Sequence, residues 1–170
     1  ISTNTKKTYK CYFINKIFEK GVISVNNLYS ENLITLNLDA NSKEEVISIM
    51  SDLLKSENRI TSITDFKESI YERETESTTE VGEDTAIPHG RSECVLYNSV
   101  CISSLKKPVI WNEVTGETVE IIFMLAVKKD STDTHIEILS DLASKIMEEG
   151  FIDKIKSSNN KTEIYKLING

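Results

Sequence analysis

Two histidines, two prolines and three cysteines are all that this 170-residue chain holds of the residue types that most often mark catalysis, sharp turns or cross-links. The cysteines, Cys11, Cys94 and Cys101, are odd in number and form no C-x-x-C pair. That argues against a disulfide framework and a zinc ribbon, and leaves them as expected small buried hydrophobes. No stretch approaches 18 consecutive apolar residues, and the amino terminus lacks the charged, apolar and small-residue succession of a signal peptide. Membrane insertion is therefore not expected, and a cytoplasmic protein is. Neither H-x-x-x-H nor H-E-x-x-H occurs. A metal centre would have to combine His89 and His135 with Cys94 or an acid, which ordinary ligand spacings do not support, so no metal and no cofactor are expected.

What is present reads as one globular domain. With 39% hydrophobic and 28% charged residues, the chain is long enough to bury a single core without staples. The net charge of −7 is uneven: residues 1 to 20 carry five lysines and one acid, so the acidity is concentrated in the remainder. An acidic body repels a phosphodiester backbone, and no nucleic-acid partner is expected. The basic stretch, with Tyr9, Tyr12, Phe13, Ile17 and Phe18 as its apolar set, fits a membrane-surface or partner helix, or else a tail or linker. Residues 1–27 are expected to be an N-terminal extension or linker, partly helical, and residues 28–170 the domain proper. A chain that starts at Ile1 also fits a piece of a longer polypeptide.

Strand and helix signals alternate along the domain. Leu33 to Leu38 predicts a strand, and Ser42-Lys43-Glu44-Glu45 is a capping-box pattern opening a helix with Val46, Ile49, Met50, Leu53 and Leu54 inward. Asp65-Phe66-Lys67-Glu68 predicts a second helix running toward Arg73. Ser99 to Leu105 and Thr118 to Val127 read as strands, the latter with the continuous apolar run of a central position. A long helix is expected from about Thr132 to Glu149, with Ile138, Leu139, Leu142 and Ile146 at core spacing and Gly150 as its stop. A last helix near Asn160 carries Ile164, Leu167 and Ile168. The expected fold class is α/β, a single domain with a mixed sheet flanked by helices.

The chemistry concentrates in Thr85-Ala86-Ile87-Pro88-His89-Gly90-Arg91. Pro88 fixes its own φ and restricts Ile87 to extended backbone, while Gly90 is expected to free the chain after the histidine. Alone, a P-H-G fits a surface or capping histidine as well as a reactive one. A neutral imidazole nitrogen attacks phosphorus, and the phosphoramidate so formed stays reactive enough to pass the group on. Such a site needs cationic or hydrogen-bonding partners for the phosphoryl oxygens, and Arg73 and His135 are the candidates. With Thr134 as N-cap and Glu137 as its reciprocal partner, His135 falls in the first turn of its helix, where free backbone donors are expected to lower an imidazole's pKa and keep it a neutral donor. Each also has a plain reading: Arg73 as a solvated residue on a charged helix face, His135 as a cap of its helix beside a core face.

Glu72-Arg73-Glu74, Thr78-Thr79, Gly82, Ala86 to Gly90, Trp111 with Gly116, and Thr134-His135 stand in one order over Leu28 to Ile168. In that order the chain resembles the enzyme IIA domain of the bacterial phosphoenolpyruvate-dependent sugar phosphotransferase system, in its fructose/mannitol/nitrogen-type branch. It departs from the pattern at Thr78, Glu80, Asp84 and Thr85, which makes the loop before His89 more acidic and leaves branch and sugar open. The resemblance implies a mixed sheet with helices on both faces. It implies that His89 accepts a phosphoryl group from the phosphocarrier HPr and passes it to a cysteine or histidine of an enzyme IIB domain, without metal or cofactor. Arg73, His135 and Thr79 support the phosphoryl group or the ring, the Thr79 hydroxyl orienting the imidazole. Association with a membrane permease, enzyme IIC, follows from the same resemblance. So does the alternative of a regulatory domain, nitrogen-type or attached to a transcription antiterminator, in which phosphorylation of His89 is the signal. Val81, Ile87 and Trp111 are candidates for an apolar docking ring or for the core.

Overall fold

A computed structural model describes residues 28–170; the expectations for residues 1–27 lie outside the described residues. A 3₁₀ turn, Glu31–Leu33, leads into β1, Ile34–Leu38. Then follow α1, Lys43–Ser56, and α2, Ile63–Glu76. Three short strands come next, β2 (Glu80–Gly82), β3 (Thr85–Ala86) and β4 (His89–Ser92). The long pair β5 (Ser99–Asn112) and β6 (Glu117–Lys128) precedes α3 (Thr132–Ile146), α4 (Phe151–Ser157) and α5 (Lys161–Asn169). Among the described residues no helix is long and apolar enough to cross a membrane.

The strands form one mixed sheet in the order β1-β5-β6-β3-β2, with β4 also on β6. β5 and β6 are antiparallel, whereas β1 runs parallel to β5, and β3 and β4 run parallel to β6. Central position explains the apolar run of β6. Ile122, Met124 and Ala126 join a core with α1 and α2, while Ile121, Phe123, Leu125 and Val127 join a second core with α3, α4 and α5. Period-two alternation thus feeds two opposite apolar faces, and no position is left for a polar residue.

Local chemistry sets the helix starts, and it moves several expected boundaries. Ser42 caps α1 by accepting from the Glu45 N–H, but the Glu45 carboxylate reaches back to the Asn41 N–H. Ile47 and Ser51 are buried in α1, while Ile49 and Leu53 only pack at the edge of the core. Ser62 caps α2 by accepting from Asp65, so the helix opens earlier than Asp65 and carries on past Arg73 to Glu76. The N-cap of α3 is Ser131, not Thr134. That helix ends at Ile146 with Met147 as its C-cap; Gly150, at φ +75, instead opens α4, a helix the sequence reading passed over.

β5 is twice as long as expected. It continues through Lys106-Lys107-Pro108, where all three side chains are exposed and the register to β6 shifts between Ser104 and Val109. An edge or bulge position is where a strand tolerates a proline. Gly116, at φ +76, closes the β5–β6 hairpin.

Candidate active site

β3 and β4 lie end to end along one edge of β6. Thr85 and Ala86 pair with Ile121 and Ile122, and His89 to Ser92 pair with Leu125 to Lys128. Between them Pro88 has no N–H to give, yet its carbonyl accepts from the Leu125 N–H at 2.9 Å. The chain therefore stays on the ladder through the proline, and His89 opens β4. The residue is 7% exposed.

Gly90 works by lacking a side chain, not by unusual backbone freedom: it is absent from the positive-φ residues. A Cβ there would stand 2.3 Å from Ser69 Oγ and 3.1 Å from Ile70 and Phe66. α2 thus lies directly on the β4 backbone. Arg73, one turn beyond Ser69, arrives beside the ring.

Both ring nitrogens of His89 are engaged by groups whose roles are fixed by chemistry. Nδ1 lies 2.8 Å from the Ile87 carbonyl, which only accepts, so Nδ1 carries the proton. Arg73 Nε donates to Nε2 at 3.0 Å, so Nε2 presents its lone pair. The same guanidinium is tethered through Nη1 to the carbonyl (3.0 Å) and hydroxyl (3.3 Å) of Ser77. On the other side stands the His135 ring, 5.1 Å from the His89 ring between centroids and tilted 58° to it. His135 Nε2 is buried without a hydrogen-bond partner.

The surroundings favour the neutral form of both rings. Burial lowers the His89 pKa below its ordinary 6.5; the Ile87 carbonyl opposes that, Arg73 reinforces it, and Glu74 and Glu76 oppose it. Burial also lowers the His135 pKa, and the neighbouring His89, Arg91 and Arg73 add to the effect. Helix position contributes differently than expected. With Ser131 as N-cap, the His135 N–H already bonds the Ser131 carbonyl at 3.0 Å, so His135 lies beyond the residues with free backbone donors.

Arg73, His89 and His135 are thus brought together; the Thr79 hydroxyl is not. It donates to the Glu74 carboxylate and accepts from Trp111 Nε1 at 3.1 Å. The other Glu74 oxygen receives the Lys43 ammonium, which also lies over the Trp111 ring. Thr79 and Trp111 stood in the family order of motifs, as did Glu74 in the E-R-E triplet, but their joining with Lys43 in one buried network was not legible from the sequence. Trp111 and Ile87 belong to the core, while Val81 is 49% exposed. A groove of about 1080 Å³ lies on the Lys43–Glu74 side, lined by Tyr71, Lys107 and Trp111 among others and not by His89. Among the described residues no cluster of three or more His, Cys, Asp or Glu is arranged to hold a metal.

Comparison with known proteins gives a consistent family. The family model described as "Phosphoenolpyruvate-dependent sugar phosphotransferase system, EIIA 2" matches residues 27–170. The chain is 28% identical over 147 residues to the PTS system fructose-specific EIIABC component of Bacillus subtilis (strain 168), covering 86% of this chain and 23% of that protein. It therefore spans about a quarter of the length of that relative. Among solved structures, Nitrogen Regulatory Protein IIA-Ntr from Neisseria meningitidis superposes with a TM-score of 0.76 at 27% identity, covering 83% of this chain and 96% of that one. Enzyme IIA of mannitol from Escherichia coli, solved in complex with phosphorylated enzyme IIB, shares the fold at a TM-score of 0.72 and 22% identity over 84% and 99% of the two chains.

Proposed function

The chain belongs to the EIIA 2 family of the phosphoenolpyruvate-dependent sugar phosphotransferase system, and from that membership we propose that His89 is its phosphoryl carrier. The single observation that carries the reading is the pair of bonds on the ring. Ile87 holds the proton at Nδ1, and Arg73 Nε lies on the lone pair of Nε2. A neutral ring with its basic nitrogen pointed at a cation is a nucleophile held ready for an anion.

The transfer runs through Nε2. As the phosphoryl group approaches from the phosphocarrier HPr, the Arg73 guanidinium moves from Nε2 onto the phosphoryl oxygens, with Ser77 as its pivot. Nε2 forms its bond to phosphorus while the bond to the donor breaks, and that electron pair returns to the donor. Positive charge appears on the His89 ring, and the Nδ1–H bond to Ile87 becomes charge-assisted and stronger. His135, neutral and with an unpaired Nε2, takes up a phosphoryl oxygen once that nitrogen carries the proton. The group then passes to an enzyme IIB domain by the reverse motions. A protein-to-protein relay needs no deep pocket, which agrees with a reactive ring that does not line the groove beside Lys43 and Glu74. Such a relay works in the cytoplasm, beside a permease of the enzyme IIC kind.

A regulatory role is the second reading. The similarity to IIA-Ntr over 96% of that chain favours it, and the chemistry at His89 is the same. Sugar uptake in a strain lacking this chain separates the two.

The test of the carrier assignment is incubation with phosphoenolpyruvate, enzyme I and HPr. An acid-labile, base-stable phosphate is expected on the wild-type chain and none on His89→Ala. Label that persists on the alanine variant overturns the assignment.

A further inference from the structure

We propose that Glu74 is a positioning residue for transfer at His89, acting through Thr79 and the Ile87 carbonyl to hold the ring in its Nδ1–H form, an inference that rests on the relay function proposed above. The contacts make one unbroken path. The Glu74 carboxylate accepts the Thr79 hydroxyl, the Thr79 carbonyl accepts the Ile87 N–H at 2.9 Å, and the Ile87 carbonyl accepts Nδ1–H at 2.8 Å. Both hydrogen-bonding groups of Ile87 are therefore committed, one toward Thr79 and one toward the ring.

Chemistry fixes the direction of every bond in this path. Trp111 Nε1 only donates, and a carboxylate only accepts, so the single proton of the Thr79 hydroxyl must point to Glu74. Lys43 neutralises the second carboxylate oxygen and also donates to the Trp111 carbonyl at 3.3 Å. No group in the network can reverse without leaving a buried polar atom unpaired, which makes the arrangement rigid.

Burial argues that this rigidity serves the ring. The side chains of Glu74 and Lys43 are only 7% and 19% exposed. Well-packed apolar residues in place of such a pair are commonly as stable or more so, because desolvating two charges offsets most of their attraction. What an apolar pair cannot do is set the orientation of a hydroxyl, and through it the segment that carries Ile87. Glu74 also follows Arg73 directly on α2, so one anchored turn governs what meets each nitrogen of His89: the cation at Nε2 and the carbonyl at Nδ1.

The tautomer is measurable, and with only two histidines in the chain the ¹⁵N signals are readily assigned. Ring ¹⁵N shifts at neutral pH and the rate of labelling from phospho-HPr are compared in the wild type, Glu74→Ala, Thr79→Val and Thr79→Ser. Thr79→Val keeps the volume and leaves the Lys43–Glu74 pair intact, so it tests the path even if Glu74→Ala fails to fold. Folding is checked by circular dichroism. A single Nδ1–H form is expected in the wild type and in Thr79→Ser. Thr79→Val, and Glu74→Ala where folded, should show averaged shifts from mixed tautomers and label about tenfold more slowly. The proposal is overturned if folded Thr79→Val keeps the wild-type tautomer, whether its rate is unchanged or merely reduced as a stability defect would reduce it. If the wild-type chain takes no label, the relay reading falls, while the ring shifts still decide the positioning link.

Discussion

α2 and α3 approach His89 from opposite faces of the sheet, and they are held in opposite ways. α2 is fastened along its length: Ser62 caps it, Lys67 donates to Ser48 on α1 at 3.2 Å, Ser69 lies against Gly90, and Glu74 is clamped by Lys43 and Thr79. α3 starts at Ser131 with no side-chain cap and is held mainly through Ile138, Leu142 and Ile146, while Ile136, next to His135, is 63% exposed. On the carrier reading proposed above, the difference points to unequal tasks for the cation and the second ring. Arg73 is held at Nε2 by a fastened helix, whereas His135 stands near the start of a helix that lacks a side-chain cap.

The largest effect should come from separating α2 from the strand beneath it. Gly90→Ala drives a Cβ into Ser69, Ile70 and Phe66, with an expected loss of about 1–3 kcal/mol of stability. Displacement of Arg73 should slow labelling about a hundredfold. Adding Ser69→Ala removes the nearest of the three clashes and should restore part of both, as read by thermal denaturation and labelling rate.

Next comes the direct comparison of the two side chains. Arg73→Lys removes the Nε donor and the forked contact to Ser77, and should cost about a hundredfold in rate. Stability should hardly change, because the residue is only half-buried. His135→Ala removes the neutral donor proposed for a phosphoryl oxygen, and should cost about tenfold without moving the site of attachment. Equal losses for the two variants would break the distinction between the fastened and the uncapped side.

The smallest effect is on acid stability. Both imidazoles have pKa values below 6.5 in the folded chain, chiefly through burial. As pH falls below 6.5 the unfolded chain takes up protons that the folded chain refuses. The stability contributed by keeping the rings neutral is complete above 6.5 and is lost on acidification through that window. Urea midpoints at roughly pH 7 and roughly pH 5.5 should therefore fall less in His135→Gln than in the wild type, because one of the two titrating groups is gone.

Much of this architecture was legible in the sequence because burial is periodic. β6 announced itself by an unbroken apolar run, and α1 by its cap and stripe. The parts that escaped have specific physical causes. β2 and β3 are three and two residues long, too short for any period to register; β3 lies on the edge that β6 offers, and β2 pairs in turn with β3. The far half of β5 was hidden by two lysines and a proline on an exposed stretch. α4 is seven residues long, and Gly150 reads equally as the end of one helix or the start of another. At the site, Arg73, His89 and His135 were recognisable because a family order of motifs placed them in one register. Glu74 stood in the same motif, but its role was not legible, since nothing in a run of charged helical residues tells which carboxylate turns inward. Gly90 was noticed for the wrong property: the chain there requires space, and an empty Cβ position cannot be inferred without knowing that α2 lies above it.

The bond from the Leu125 amide to the Pro88 carbonyl has a further consequence. Leu125 is fully buried in a strand covered on both sides, so its hydrogen should be among the last to exchange with deuterated solvent, released only when the whole domain opens. The proposed phosphoryl carrier thus follows directly on a backbone bond to the most protected strand, so the strand position of His89, though not that of its side-chain partners, should persist for as long as β6 does.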